Sequence, residues 1–178
     1  FSNRNVERNY SSQLQRNAKY LPIAYQLGSL LKTYVDQDDA GKTAMKTKVT
    51  DAINRMYDGL NTELEGEMLN SMVGLYQQRV KKEVASPTLS YLDAKSLSNI
   101  AFSSIFATKE SAVNFLNNPD RLKLDVDPLL KIANGFMEDQ KLMSEKFSKV
   151  DDAFAKNSRI FLDGLRKSQP NKSFYTDA

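Results

Sequence analysis

Apolar positions recur at three- and four-residue steps along almost the whole chain, and that spacing predicts helix. Tyr10, Leu14, Ala18, Leu21, Ala24, Tyr25, Gly28, Leu31 and Tyr34 mark a first stretch, which Pro22 should kink or divide. Residues 37–41 form a polar break. Met45, Val49, Ile53, Met56, Tyr57 and Leu60 then outline a second helix. Thr62 and Glu65 have the spacing of a capping box for a third, whose face carries Leu64, Met68, Met72, Leu75, Tyr76 and Val80.

Ser86-Pro87 reads as a helix start, serine as cap and proline at the first position, followed by Leu89, Leu92, Leu97, Ile100, Ala101 and Ile105. Thr108 can cap a short helix through Ala112, Val113 and Leu116, and Asn118-Pro119 breaks it. Asp127-Pro128 opens the longest element, with Leu129, Ile132, Ala133, Phe136, Met143, Phe147, Val150, Phe154, Phe161 and Leu165 on one stripe. A near seven-residue repeat over about 38 residues corresponds to nearly 60 Å at about 1.5 Å per residue.

The fold class that follows is all-α: an irregular helical bundle with one long C-terminal helix over about 128–167. Asn134-Gly135 is its weak spot, where a bend is expected. Pro170 should stop it, and an extended segment should begin near Phe174. Phe147 and Phe154 are expected to be buried against the helix of Met68, Met72 and Leu75. No repeat of solenoid length recurs. The chain starts at Phe1 without an initiator methionine and stops inside the segment after Pro170. Those features lead to the expectation that it is a piece of a longer protein.

Composition narrows the chemistry. The 178 residues hold 25 basic and 22 acidic side chains, interspersed, for a net charge of +3. That balance does not suit nucleic acid, which calls for a clustered basic face. Arg79, Lys81 and Lys82 are the nearest approach to one and read as a solvated helix end. No apolar run nears the roughly 18 residues of a membrane span, so no membrane partner is expected. Histidine and cysteine are absent. A Ser-His-Asp or Cys-His nucleophile therefore cannot be assembled from these residues, nor thiol redox chemistry, nor a zinc site of the usual ligands.

Four motifs carry a trace of chemistry. Asp36, Asp38 and Asp39 resemble the opening of a calcium loop, but its fifth and twelfth positions are Ala40 and Thr47. Gly41-Lys42-Thr43 is the tail of a phosphate loop whose first glycine is replaced by Asp36. Ser29 and Lys32 have the spacing of a Ser-Lys nucleophile pair, although Lys32 should reach solvent. Asp125, Asp127, Asp151 and Asp152 read as caps and solvated faces. The residues themselves thus define no catalytic, cofactor-binding or metal site, and they describe a non-catalytic helical module.

A family resemblance goes further. Ser104-Ile105-Phe106-Ala107, then Phe115-Leu116 with Pro119, then Leu124 with Asp127-Pro128, resemble a stretch of bacterial serine dipeptidyl peptidases of peptidase family 46. Phe161-Leu162-Asp163-Gly164-Leu165-Arg166, Gln169-Pro170 and Phe174-Tyr175-Thr176-Asp177-Ala178 resemble the end of the same region. Leu69 to Val80 is similar to a further helix of the family. The resemblance covers about residues 61–178, and residues 1–60 match poorly.

What the resemblance implies is a single helical domain, 1–178, inserted between two chymotrypsin-like β-barrels that hold the triad. It would cap the cleft of an enzyme that removes dipeptides from a free N-terminus. The triad histidine and aspartate would then precede Phe1, and the nucleophile would follow Ala178. Implied partners are the barrels of the same polypeptide and peptides with a free N-terminus, with room for a homodimer. The implied location is the periplasm or outside the cell, and no cofactor is implied. Family members hold the substrate amine with an Asn-Tyr-Trp-Lys motif. This chain has Ser2-Asn3-Arg4-Asn5 and no tryptophan, so that role is not carried to Asn3. The rival expectation is a stand-alone helical binding or scaffolding module.

Overall fold

Ser2–Asn17 (α1) and Tyr20–Val35 (α2) divide the first apolar stretch, and the break falls just before Pro22. Proline sits in the first turn of α2, where the absence of its N–H costs nothing. The N–H of Leu21 and of Ile23 reach the carbonyls of Ala18 (3.2 Å) and Lys19 (3.0 Å). Asp39–Tyr57 (α3) starts inside the expected polar break, because Asp38 accepts from the Gly41 N–H at 2.8 Å and caps it. Gly59 then turns the chain at φ 64°, the left-handed region in which glycine carries no steric penalty.

The structure, a computed structural model, describes residues 2–168. The remaining elements are Thr62–Arg79 (α4), Pro87–Ser90 (α5), a 3₁₀ turn at Ala94–Ser96, Leu97–Phe102 (α6), Lys109–Asn117 (α7), Arg121–Val126 (α8) and Pro128–Ser168 (α9). Among the described residues there is no strand, and the fold is all-α with one long C-terminal helix. The expected stop at Pro170 and the extended segment from Phe174 lie outside the described residues.

The chain divides into two compact units, Phe1–Asp139 and Gln140–Ala178, with α9 running through the boundary. The first unit holds the core. Leu14, Leu27, Leu31, Ile53, Leu69, Val73, Phe106, Leu124, Leu129 and Phe136 are all buried in it. In the second unit, residues 140–168 are helix throughout, and Val150, Phe154 and Phe161 on it are 53%, 55% and 66% exposed.

Several expectations are corrected by this arrangement. The cap of α4 is Asn61, whose side chain accepts from the Leu64 N–H at 3.1 Å, so the Thr62–Glu65 capping box does not form. Glu65 is buried instead and accepts the Lys19 N–H at 3.1 Å, giving the uncapped start of α2 its missing acceptor. The buried face of α4 is accordingly Glu65, Leu69, Val73 and Tyr76, while Leu64 is exposed and Met68, Met72 and Leu75 are half-buried.

Residues 86–105 are three short pieces rather than one helix. The Gln77 amide donates to the carbonyls of Leu89 (2.7 Å) and Leu92 (2.9 Å), and Asp93 caps the 3₁₀ turn. Helix α8 follows the break at Asn118-Pro119, where the apolar spacing marked no separate helix, and Asp120 caps it. Tyr25 lies 38% exposed rather than in the core. Gly135 is a close approach, since a Cβ there would meet Thr88 Oγ1 at 2.7 Å. Phe147 is half-buried and Phe154 exposed, so neither is the core residue that the heptad suggested.

Candidate functional site

The polar groups of the core converge on residues 104–107, which connect α6 to α7. Ser104 Oγ donates to Asp127 at 2.9 Å and accepts the Phe106 N–H at 3.0 Å. The Ile105 N–H reaches the same carboxylate at 2.9 Å. Tyr57 donates its hydroxyl to the Phe106 carbonyl (2.8 Å) and Tyr20 to the Ala107 carbonyl (2.7 Å). Four side chains from α2, α3, the α6–α7 connection and the start of α9 thus hold one turn, with Phe106 fully buried beneath it. Asp127 also accepts the Leu130 N–H at 2.9 Å and caps α9. A capping carboxylate gains from the helix dipole and from charge-assisted hydrogen bonds.

The three motif stretches between Ser104 and Pro128 that carry part of the family resemblance meet here. Ser104, Ile105 and Phe106 belong to its first element and Leu124, Asp127 and Pro128 to its third. Phe115 and Leu116, from the second, are buried in the same core. Ser104, Phe106, Phe115, Leu116, Leu124 and Asp127 are buried there, while Pro128 is exposed at the start of α9.

A second buried polar chain ties α1, α4, α5 and α9. Glu7, 3% exposed, accepts from Ser11 Oγ (2.5 Å) and from the Tyr76 hydroxyl (3.3 Å). Tyr76 in turn accepts the Ser86 N–H at 2.8 Å. Ser86 Oγ donates to Asp139 at 2.5 Å, and Asp139 also takes the Thr88 N–H at 2.8 Å. Helix α1 therefore docks through Glu7 and Ser11 as much as through Leu14 and Ala18. Apolar periodicity carries no signal for such a face. The clue available was that Glu7 and Ser11, despite their polarity, continue the helical spacing of Leu14 and Ala18.

Burial disfavours the phenolate and pushes the hydroxyls of Tyr20 and Tyr76 up to about 12, with Glu65 adding to the effect at Tyr20. Tyr57 is pushed higher still by the same cause, with Tyr20 and Asp127 adding to it. None of the three is a proton acceptor near neutrality.

The sequence candidates are scattered rather than assembled. Asp36 pairs with Arg121, Asp38 caps α3, and the Asp39 carbonyl accepts from Thr43 Oγ1 at 2.8 Å. Gly41 and Lys42 lie in the first turn of α3, not in a loop after a strand. Ser29 is exposed, and Lys32 stretches to Asp125 of α8 at 4.0 Å instead of standing alone in solvent. Asp125 takes the Arg121 Nε at 2.7 Å, and Arg121 is held more firmly protonated by Asp125 and Asp36. Asp152 is exposed, and the Asp151 side chain lies outside the described residues. Arg79, Lys81 and Lys82 are exposed at the end of α4. Among the described residues no three acidic side chains come close enough to hold a metal ion.

Two open grooves mark the surface of the first unit. One, of about 820 Å³, lies between α2 and α3 and is lined by Ser29, Thr33, Lys48, Asp51 and Arg55 among others. The other, of about 710 Å³, lies between α4 and the 3₁₀ turn, beside Asn70, Gln77, Asp93 and Lys95. Neither joins a nucleophile to a base.

The arrangement defines a helical module whose buried polar side chains bond to one another and to backbone groups. Comparison with known proteins gives it a family: the peptidase S46 model matches residues 2–178, and the chain belongs to that family. It is 25% identical over 176 residues to a dipeptidyl-peptidase 7 of Capnocytophaga gingivalis. That match takes in 96% of this chain but only 24% of the relative, so the chain spans about a quarter of the length of the protein it resembles. Family likeness also extends through residues 2–60, where the motifs alone matched poorly. No solved structure matches the chain.

Proposed function

We propose that this chain is the helical cap of a serine dipeptidyl peptidase, a part that shapes access to the active site and supplies no triad residue. One observation carries the reading: in a chain of a peptidase family, the buried polar motif residues Ser104 and Asp127 are committed to each other and to the N–H groups of Ile105, Phe106 and Leu130. The lack of any histidine supports it, because a Ser-His-Asp triad needs an imidazole that this sequence does not contain. On this reading the catalytic groups belong to β-barrels of the same polypeptide, and the substrate is a peptide with a free N-terminus. The protein would then work in the periplasm or outside the cell.

The test is activity against dipeptidyl reporter peptides, measured on the 178-residue chain and on a polypeptide extended on both sides to the length of the relative. Dipeptide release by the extended form alone is the expected result. Release by neither form, with both folded, would leave a binding module without peptidase chemistry.

A further inference from the structure

Helix α9 changes character along its length. Leu129, Leu130, Ile132, Ala133 and Phe136 are buried in the core of the first unit. Beyond residue 140 the apolar stripe continues, half-buried at Met143, Phe147 and Leu165 and exposed at Val150 (53%), Phe154 (55%) and Phe161 (66%). At about 100° per residue, Val150, Phe154 and Phe161 fall within about 40° of one another on the helix. The opposite face is charged, with Glu145, Asp152, Lys156, Arg159, Asp163 and Arg166 all exposed. An amphipathic helix of this length ordinarily buries its apolar stripe, and a run of exposed large side chains marks a contact surface.

Three occupants can cover such a stripe: a membrane, a second copy, or the rest of the polypeptide. The charge pattern disfavours a membrane. The polar face carries three acids and three bases, whereas a helix lying on an anionic bilayer is rich in Lys and Arg there. A balanced face suits a protein surface as well as solvent. Length then selects among the proteins, because the match to the relative leaves about three quarters of that protein outside this chain. On the reading above, the chain is one part of such a polypeptide, and an exposed apolar stripe is the kind of face on which the remainder can dock.

We infer that the stripe of Val150, Phe154 and Phe161 is the surface on which the rest of the polypeptide docks, through an apolar face of its own. This inference rests on the reading of the chain as part of a longer peptidase.

The chain has no cysteine, so single thiols can report on the stripe one at a time. Val150→Cys and Phe161→Cys probe it, and Asp152→Cys probes the charged face. Both stripe positions are exposed, and circular dichroism of each variant checks that the helix persists. Maleimide labelling is followed by mass spectrometry in the 178-residue chain and in the extended polypeptide. The two stripe thiols should label fast in the chain and about tenfold or more slower in the extended form, while Asp152→Cys labels alike in both.

Equal labelling of the stripe in both forms would overturn the inference. So would slow labelling in a 178-residue chain that light scattering shows to be dimeric, which would assign the stripe to a second copy. Slow labelling in a monomeric chain would mean that the chain covers its own stripe, and flotation with anionic phospholipid vesicles would assign it to a membrane. Either result also overturns the inference. Dipeptide release measured on the same extended sample keeps the two questions apart. Release with an unprotected stripe defeats the docking surface alone, and protection without release defeats the peptidase reading alone.

Discussion

Ser104 and Asp127 stand 23 residues apart in sequence and meet in the core, with Ser104 Oγ 2.9 and 3.0 Å from the two carboxylate oxygens. Asp127 is 4% exposed and also accepts the N–H groups of Ile105 and Leu130. The contact joins the turn after α6 to the start of α9, so one carboxylate sets the position of two elements.

Replacing Asp127 should therefore be costly. Asp127→Ala leaves two buried N–H donors and the Ser104 hydroxyl without an acceptor, and each such loss costs about 1–3 kcal/mol. Since neighbouring losses do not add fully, a total of about 3 kcal/mol is expected from urea unfolding. Asp127→Asn keeps one acceptor oxygen and should cost less. Asp152→Ala, on the exposed face, should fall within about 0.5 kcal/mol of the parent. Equal effects at 127 and 152 would remove the central role given to Asp127.

Glu65 makes a second long-range cap. Its carboxylate serves the Lys19 N–H at the start of α2, with the Lys19 ammonium 3.8 Å away. Loss of a capping acceptor costs about 0.5–2 kcal/mol, and Glu65→Ala should fall at the upper end because the site is buried. Glu65→Gln retains the acceptor and loses an ion pair whose lysine is 55% exposed, a loss of less than about 1 kcal/mol. Similar costs for the two variants would show that the ammonium, not the backbone N–H, is the partner that counts.

Alkaline pH should unfold the chain through its buried tyrosines. The folded-state values of Tyr20 and Tyr76 are raised to about 12, and Tyr57 is raised too. A raised value means that the fold holds the proton more tightly than the unfolded chain does. The stabilising effect is complete below the unfolded value of about 10 and is lost as pH rises through the folded values. Thermal midpoints from these groups should be flat below about pH 10 and drop steeply toward 12. Tyr57→Phe should soften that drop, while losing the hydrogen bond to the Phe106 carbonyl at every pH. An unchanged midpoint across pH 10–12 would contradict the burial of these hydroxyls.

Much of this fold was legible because caps are local chemistry. Ser86-Pro87, Thr108, Asn118-Pro119 and Asp127-Pro128 all stand at the element boundaries where their side chains predict them. Hidden features depended on distant partners. Thr62 and Glu65 have the right spacing for a box, but Glu65 was drawn away to the open start of α2, and Asn61 took the cap. That choice rotates the buried face of α4 by one residue, onto Glu65, Leu69 and Val73. Helix α1 docks through Glu7 and Ser11, which hydrophobicity does not mark. As for the site, the sequence read Asp127 as a cap and Ser104 only as a family mark, and their meeting became visible in three dimensions.

The long helix separates periodicity from burial. Its repeat predicts an amphipathic element but says nothing about what covers it, so Phe136 and Phe161 look alike in sequence. Phe136 is fully buried and Phe161 is 66% exposed. Phe136→Ala should destabilise the chain by about 3–5 kcal/mol. Phe161→Ala should change it by less than about 0.5 kcal/mol, and Phe147→Ala, half-buried, should fall between. A large cost at Phe161 in the 178-residue chain would place it in a core and remove the contrast along α9.

Scaffolding and catalysis can be told apart at the motif residues themselves. If Ser104 and Asp127 act only through the fold, then Ser104→Ala and Asp127→Asn in an extended, active polypeptide should lower the thermal midpoint. Dipeptide release per folded molecule should stay within about twofold of the parent, since no reacting group is touched. The shape of the pH–rate profile should also be unchanged, because its limbs report the groups that exchange protons with substrate. The 178-residue chain should show no turnover at any pH, having no imidazole or thiol and with Tyr20, Tyr57 and Tyr76 pushed far above neutrality. A loss of about a hundredfold in kcat for Asp127→Asn, with the fold intact and the midpoint unmoved, would instead make this carboxylate part of the reaction.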